Sequence, residues 1–441
     1  MTIDLSLLWR RSAWLALAAA LGLAASAQAQ TTACAPPASA QLPVVNTGLP
    51  VVQIWTTNAA PILDRENYVT GCMRITDGTV QRYGQGLYHS TIKIRGRGNT
   101  SWEMPKKGYR LKLDTASAVL DMPAHKDWVL LANYADKTLM RNQLGFELSR
   151  RVGMAWSPRM RYAEVYLNDA FLGNYQLGEK IEVAPTRVAI TPMAKTDIAL
   201  PALTGGYLLE TEYFDRLVST DRFFTTDASA SNINFALQSP SADAVTAEQM
   251  AYIAGYTQAI ETAMFAGDNN AQTGYPSLID VESFISFYLV SELLKNVDSA
   301  FRSSVYLYKE RDAKMKMGPL WDFDISAGNI DFYPDAMSAK GWYLNDNSRW
   351  FEALLRDPVF KARLKVRWTE FRRSIGDLNT YIDNQARVLD ASQKQNFARW
   401  PIMGTYVWPN QYVAKDYKGE VKWLKDWLTT RIKWIDQNIG K

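Results

Sequence analysis

Histidine is almost missing from this chain: His89 and His125 are the only two in 441 residues. A histidine-dependent catalytic triad or a histidine-rich metal centre therefore has almost no raw material. Any chemistry has to rest on carboxylates, lysines, arginines and backbone groups. Cysteine is as scarce, with only Cys34 and Cys72, both near the start. In an exported chain these two are expected to form one bridge tying the mature N-terminus to an early strand, with two free thiols as the alternative. Long apolar runs are lacking too. Residues 13–25 are too few for a comfortable membrane span, and no later segment reaches about 18 uninterrupted apolar residues. A strong charge of either sign is also absent. The formal net charge is +4, too mild to point to nucleic acid as a partner.

What the chain does have begins with Arg10-Arg11, the apolar run 13–25 and Ala27-Gln28-Ala29. These read as a secretory signal peptide over residues 1–29, and hence as export to the periplasm or beyond the cell, with no membrane span left after cleavage. A Pro/Ala/Ser linker follows at 30–43. Runs rich in β-branched residues or alternating in polarity fall at 50–58, 68–77, 88–95, 109–113 and 128–133. Residues 161–167 and 171–179 flank Asn168-Asp169 and read as a hairpin. Asp136 reads as the N-cap of a helix to about Arg151, on which Glu147 could pair with a loop lysine or simply be solvated. Beyond 241 the pattern turns helical, at 247–265, from a cap at Asp280 to 296, and at about 350–374, 379–400 and 419–439. The predicted fold class is α+β, with a β-rich N-terminal lobe over 44–240 and a helical C-terminal lobe over 241–441. Trp427 and Trp434 are expected in the core of the last helix rather than on a sugar-binding platform.

Two stretches carry chemistry. The first is RGRGNTSWEMPKK, residues 95–107. Gly96 and Gly98 permit positive φ, so successive N–H groups can face one anion. Arg95, Arg97, Lys106 and Lys107 add charge, and Asn99, Thr100 and Ser101 add donors. The pattern is not a Walker loop. It is a plausible cover for phosphates, or else a basic turn that keeps the chain soluble.

The second stretch runs from 296 to 324 and holds Asp298, Asp322 and Asp324. Residues 305–308 and 314–324 read as two strands of a hairpin, which would return Asp322 and Asp324 to Asp298. Within a strand the last two acids would share a face, with Phe323 turned into the core. Such a trio suits a hard cation with oxygen ligands, although a surface hairpin with solvated acids has the same spacing.

The order of parts (β-rich half, buried helix, Asp, hairpin, D-x-D) is that of a protein kinase, without HRD or DFG as such. The chain resembles the CotH family, atypical kinases named for a bacterial spore-coat protein. The resemblance runs from about Leu49 to Ser374. It rests on RGRGNTSW with PKKGYRLKL, on Asp136 with Arg141-Asn142, and on VYLNDAFLGNYQLGE, GGYLLE, the Asp298 region and GPLWDFDISAGN. It implies an atypical protein-kinase-like fold and an ATP-dependent kinase using Mg²⁺ or Mn²⁺ to phosphorylate Ser or Thr of surface or envelope proteins. By resemblance Asp298 would be the catalytic base, Asp322 a metal ligand, and Asp324 a second ligand or its support. Arg97, Asn99 and Lys107 would meet the phosphates, with Lys106 and Lys112 as rivals. Glu179 would lie toward the nucleotide cleft, on a lysine or on the adenosine.

One departure counts against activity. Where the family tends to keep an asparagine as a second metal ligand, this chain reads Arg302-Ser303-Ser304, and serine is the poorer ligand. The alternative is a catalytically weak kinase-fold protein that serves surface assembly. A glycoside hydrolase using Asp298 and Asp322 would leave the basic glycine loop without a role.

Overall fold

The computed structural model describes residues 46–77, 88–226 and 232–441. The expected signal peptide, the linker and Cys34 lie outside the described residues, and Cys72 is disulfide-bonded.

Seven strands close a barrel: β1 (Val51–Thr56), β2 (Val69–Thr76), β3 (Tyr88–Arg97), β4 (Gly108–Val119), β5 (Met122–Leu131), β6 (Met160–Leu167) and β7 (Ala170–Glu179). Their order is β1-β2-β3-β4-β5-β7-β6, and β1 pairs in parallel with β6 to seal the ring. Period-two alternation sends Ile92, Ile94, Leu111, Leu113, Trp128 and Leu130 inward, all essentially without exposure. Polar partners on the same strands, such as Arg110 and Lys112, point out. The β6–β7 turn has Asn168 and Asp169 both at positive φ (48° and 65°), the backbone that a tight right-twisted hairpin requires.

A second sheet, in the order β12-β11-β8-β10-β9, joins strands from both sides of residue 240. It contains β8 (Tyr207–Thr211), β9 (Phe223–Thr226), β10 (Ile233–Ser239), β11 (Tyr306–Lys309) and β12 (Lys316–Met317). The strand expected over 314–324 is thus only two residues long. Pro319 has no N–H to offer a ladder, and Gly318 at φ 116° turns the chain away.

The helices are α1 (Arg141–Arg151), α2 (Ala247–Phe265), α3 (Val281–Leu294), α4 (Arg349–Leu354), α5 (Pro358–Ser374), α6 (Leu378–Val388), α7 (Asp390–Arg399) and α8 (Tyr417–Asn438), with several single turns besides. α1 starts four residues later than expected. Leu139 sits at φ 61°, so residues 136–140 form a turn, and Asp136 instead accepts from Thr138 N (3.0 Å) and Arg141 N (2.8 Å). α3 is buried along nearly its whole length, as its apolar circumference demands, and Asp280 caps it by accepting from Ser283 N at 2.9 Å. The long helix expected at 350–374 breaks before Pro358, where Asp357 restarts it by capping Val359 N at 2.8 Å. Likewise 379–400 is two helices, and the segment between Asp324 and α4 contains the short turns Pro334–Met337 and Leu344–Asn347. Trp427 is buried, and Trp434 packs edge-on against Trp342 at 4.8 Å, so both belong to the core. The architecture is α+β, β-rich in its N-terminal half and helical in its C-terminal half. No helix among the described residues is long and apolar enough to cross a membrane.

Candidate active site

Asp298 stands four residues beyond the end of α3. Lys295 takes a left-handed backbone there (φ 46°) and turns the chain out of the helix. Asn296 then fixes the local geometry in two directions. Its Oδ1 accepts from Asp298 N at 3.3 Å, and its Nδ2 donates to the carbonyls of Trp321 (3.3 Å) and Asp322 (3.0 Å). One amide therefore ties the Asp298 turn to the D-x-D segment.

Asp322 and Asp324 do not lie on a strand. Asp322 has φ 62°, a strained value for a residue other than glycine. The Phe323 N–H donates to Asn142 Oδ1 at 2.7 Å, and the Phe323 ring is buried against Phe146 and the backbone of Gly145. A Cβ at Gly145 would stand 2.1 Å from that ring, so only glycine allows this approach. Asp324 is held by its carbonyl, which accepts from Asn329 Nδ2 at 2.7 Å. Phe323 is the inward anchor as expected, but α1 and a left-handed turn, not strand alternation, aim the acids. Asp298, Asp322 and Asp324 all line one cavity of about 530 Å³.

The glycine loop forms another wall of that cavity. Gly96 packs so closely on Trp102 that a Cβ would lie 2.5 Å from its ring, and Gly98 has φ 108°. Arg97 and Asn99 reach the cavity. The Arg97 guanidinium lies 5.0 Å over the Trp321 ring, and Asn99 accepts from Arg65 at 2.8 Å and donates to Glu212 at 3.2 Å.

The lysines of this stretch do not line the large cavity, although Lys106 borders the small void beside Asp322 and Asp324. Lys107 donates to the Trp102 carbonyl and does not line the cavity. Lys106 is buried and donates to Asn174 O and, at 2.9 Å, to Asn396 Oδ1. Burial lowers its pKa to about 7. Lys112 is exposed on the outer face of β4, beyond Arg110. Glu179 is fully buried and paired with Arg159 at 2.7 Å, away from the cavity. Glu147 pairs with Arg150 and Arg151 rather than with a lysine.

The cations that do line the cavity beside Arg97 include Arg110 and Lys180, which sequence reasoning passed over. Both had a signal. Lys180 follows Glu179, so the alternation that buries one turns the other out, and Arg110 shares the face of Lys112 one strand step closer to the loop. Lys180 donates to Glu182 at 2.7 Å, and burial lowers its pKa. Ligand atoms of His125, Asp127 and Glu182 lie within 4.8 Å of one another. However, Arg110, Lys180 and Arg187 already pair with those carboxylates, so the cluster acts as the counter-charge that holds Arg110 and Lys180.

Charge is crowded at the acidic wall. Burial, then Asp322, push the Asp298 carboxyl up to about 7, against the pull of Arg216 and Arg302. Burial, then Asp322, Asp136 and Asp298, push Asp324 well above the usual carboxylate range. Beside them lies a void of about 20 Å³ bordered by Asp322, Asp324, Asn133 and Asn142 and also by Arg97 and Lys106, room for a single small ligand. Carboxylates that repel one another are the donor set a hard divalent ion takes, and Arg97 and Lys106 bring positive charge to the same void. Ser304 donates to Asp322 Oδ2 at 3.4 Å, close to where a second ligand would stand.

The family model described as CotH kinase protein matches residues 94–435. The chain belongs to the CotH kinase family. The match takes in the glycine loop, both strands of the 160–179 hairpin, Asp298 and the D-x-D. It extends past Ser374, where the sequence resemblance ends, through most of α8, so the C-terminal helices are part of the CotH unit. No curated protein matches the chain. Two cavity-lining groups not singled out as site residues from the CotH resemblance are Glu210 and Tyr306, opposite each other on β8 and β11. Burial raises the Glu210 carboxyl to about 7 against a hydrogen bond from Tyr306.

Proposed function

We propose that this CotH protein is an exported ATP-dependent kinase that phosphorylates Ser or Thr of surface or envelope proteins with Mg²⁺ or Mn²⁺. The observation that carries the reading is one cavity lined by three carboxylates together with Arg97, Arg110 and Lys180. Phosphoryl transfer asks mainly for positioning and charge neutralisation, which this set supplies without histidine. Asp322 and Asp324 would hold the divalent ion, whose chemistry is to neutralise and align the phosphate oxygens. Arg97, Arg110 and Lys180 neutralise the remaining phosphate charge, and the Gly98 turn lets backbone N–H groups approach it. Asp298 accepts the proton of the acceptor hydroxyl, a role to which a carboxyl near 7 is matched at neutral pH. The Arg10 to Ala29 stretch supports export.

A second reading, a binding or assembly protein on the same fold, is favoured by Ser304, whose short side chain replaces an expected asparagine ligand. Calorimetric titration with ATP, with and without Mg²⁺ or Mn²⁺, separates the two. Metal-dependent binding that Asp322→Ala abolishes supports the kinase. Transfer should then fall about 10²–10⁴-fold in Asp298→Asn while nucleotide still binds. Absence of nucleotide binding with either metal sinks the kinase reading and leaves the assembly role.

A further inference from the structure

Beyond Asp298 lies a second pocket of about 250 Å³, which shares Glu212 and Tyr213 with the main cavity. Ala300, Phe301 and Arg302, the residues just after Asp298, form one side. Asn347 and Arg349 form another. The pocket therefore adjoins the main cavity on the side of the Asp298 segment.

Its electrostatics are lopsided. Glu212 is already satisfied: Oε1 accepts from Tyr213 N (2.9 Å) and Arg216 (3.4 Å), and Oε2 accepts from Asn99 (3.2 Å). Arg349 is paired with Glu352 at 2.9 Å on the surface. Arg302 differs from both. It is half-buried, it donates to the Tyr333 hydroxyl, and its guanidinium lies 4.3 Å over the Tyr333 ring. No carboxylate among the described residues makes a salt bridge to it. A half-buried guanidinium held by tyrosines, without a salt bridge and sensed by Asp298 only at longer range, is an arrangement that gains from an anion brought by a ligand.

We propose that this pocket is a subsite for an anionic side chain, a carboxylate or a phosphate, carried by the acceptor polypeptide close to the hydroxyl presented to Asp298. Arg302 is the recognising group and Arg349 assists from the rim. The tyrosine contacts hold the guanidinium in place before the acceptor arrives, so little ordering remains to be done on binding. Asn232, Asn234 and Asn347 also line the pocket, with the Asn234 amide held by Thr225 and the Glu212 carbonyl and Asn347 Nδ2 held by the Tyr343 carbonyl. A phosphate in this subsite would let one modified residue recruit the acceptor for modification of its neighbour.

The inference rests on the kinase reading for its purpose, but its first test does not require turnover. Fluorescein-labelled serine peptides with Asp, phosphoserine, Ala or Lys at each flanking position would be titrated with the protein and followed by anisotropy. The Asp or phosphoserine peptides are expected to bind about tenfold more tightly than the Ala peptide, the size of one charge-assisted hydrogen bond. Arg302→Met should remove that ratio, Arg302→Lys should restore part of it, and Arg349→Gln should reduce it. The ratio between peptides is read, so a general loss of fold or affinity does not imitate the effect. Preference for Asp alone, for phosphoserine alone or for both identifies the source of the anion. Equal binding of all peptides, preference for Lys, or a ratio that survives Arg302→Met overturns the subsite. Phosphorylation of the same peptides is then measured with Mg²⁺-ATP. An Arg302-dependent preference without transfer leaves the subsite and sinks the kinase; transfer with no anion preference does the reverse.

Discussion

Asn410 donates to Asn329 Oδ1 at 2.8 Å, although the two residues are 81 positions apart. The same Asn410 amide donates to the Ala135 carbonyl at 2.7 Å, and Asn329 passes the constraint on by donating to the Asp324 carbonyl. The segment before α8 thus holds the end of the D-x-D loop in place, which gives a physical reason for the CotH match to run so far toward the C-terminus. Asn410→Ala would leave the buried Asn329 Oδ1 unpaired, while the Ala135 carbonyl keeps its bond from Asn329 Nδ2 at 3.2 Å. It should cost about 1–3 kcal/mol in chemical denaturation and weaken divalent-metal binding about tenfold, as loss of a supporting residue does. Unchanged metal affinity in a destabilised variant would limit Asn410 to packing.

The lysines offer a direct contrast. Lys180 lines the cavity, whereas Lys107 is turned to the Trp102 carbonyl. Lys180→Met should weaken ATP binding about 10–100-fold, the size of one bond to a charged group, and Lys107→Met should change it less than twofold (about 0.4 kcal/mol or less). The reverse pattern in a calorimetric titration would return the phosphate role to Lys107.

Ser304 has φ 58°, a backbone that asparagine adopts more readily than serine. Ser304→Asn should therefore fold without added strain and bring a carbonyl oxygen toward the Asp322 carboxylate. Mn²⁺ binding is expected to tighten several-fold, on the order of 1 kcal/mol. Weaker binding than in the parent protein would mean that the serine hydroxyl is the better fit.

A pH dependence follows from Glu210. Burial raises its carboxyl from an ordinary 4.5 to about 7, so the folded chain keeps this proton to higher pH than the unfolded chain does. Its contribution to stability is complete at low pH and is lost as pH rises from about 4.5 through 7. Asp298, also raised to about 7, works in the same direction. Glu210→Gln removes one of several raised carboxyls, so its melting temperature should gain on the parent between pH 5 and pH 8 without abolishing the slope. A difference that stays constant over that range would place the Glu210 pKa near its ordinary value.

Much of this molecule was legible in its residues because the signals are local. Alternation in 88–95 and 109–113 marks barrel strands, Asn168-Asp169 marks a hairpin, and the all-round apolar pattern after Asp280 marks a buried helix. Each depends on backbone geometry over a few neighbouring positions. The three acids and the Arg97/Asn99 loop were legible for the same reason, as short motifs whose chemistry is carried by residue type.

Which cations share the cavity with those acids was settled only by tertiary structure. Lys107, Lys112, Arg110 and Lys180 are alike in sequence, each a basic residue on or beside a strand. The closure of the barrel by β1 and β6, together with the register that sets Arg110 against Val129, decides that Arg110 lines the cavity and Lys112 does not. The D-x-D shows the same limit. Spacing placed its two carboxylates on one face of a strand, but Pro319 ends the strand, and they line one cavity through a left-handed turn clamped by Asn142, Asn296 and Asn329. Asn329 belongs to the same GPLWDFDISAGN motif, but Asn296 and Asn142 lie 26 and 180 residues from Asp322, and their bonds to this turn exist only once the chain has folded.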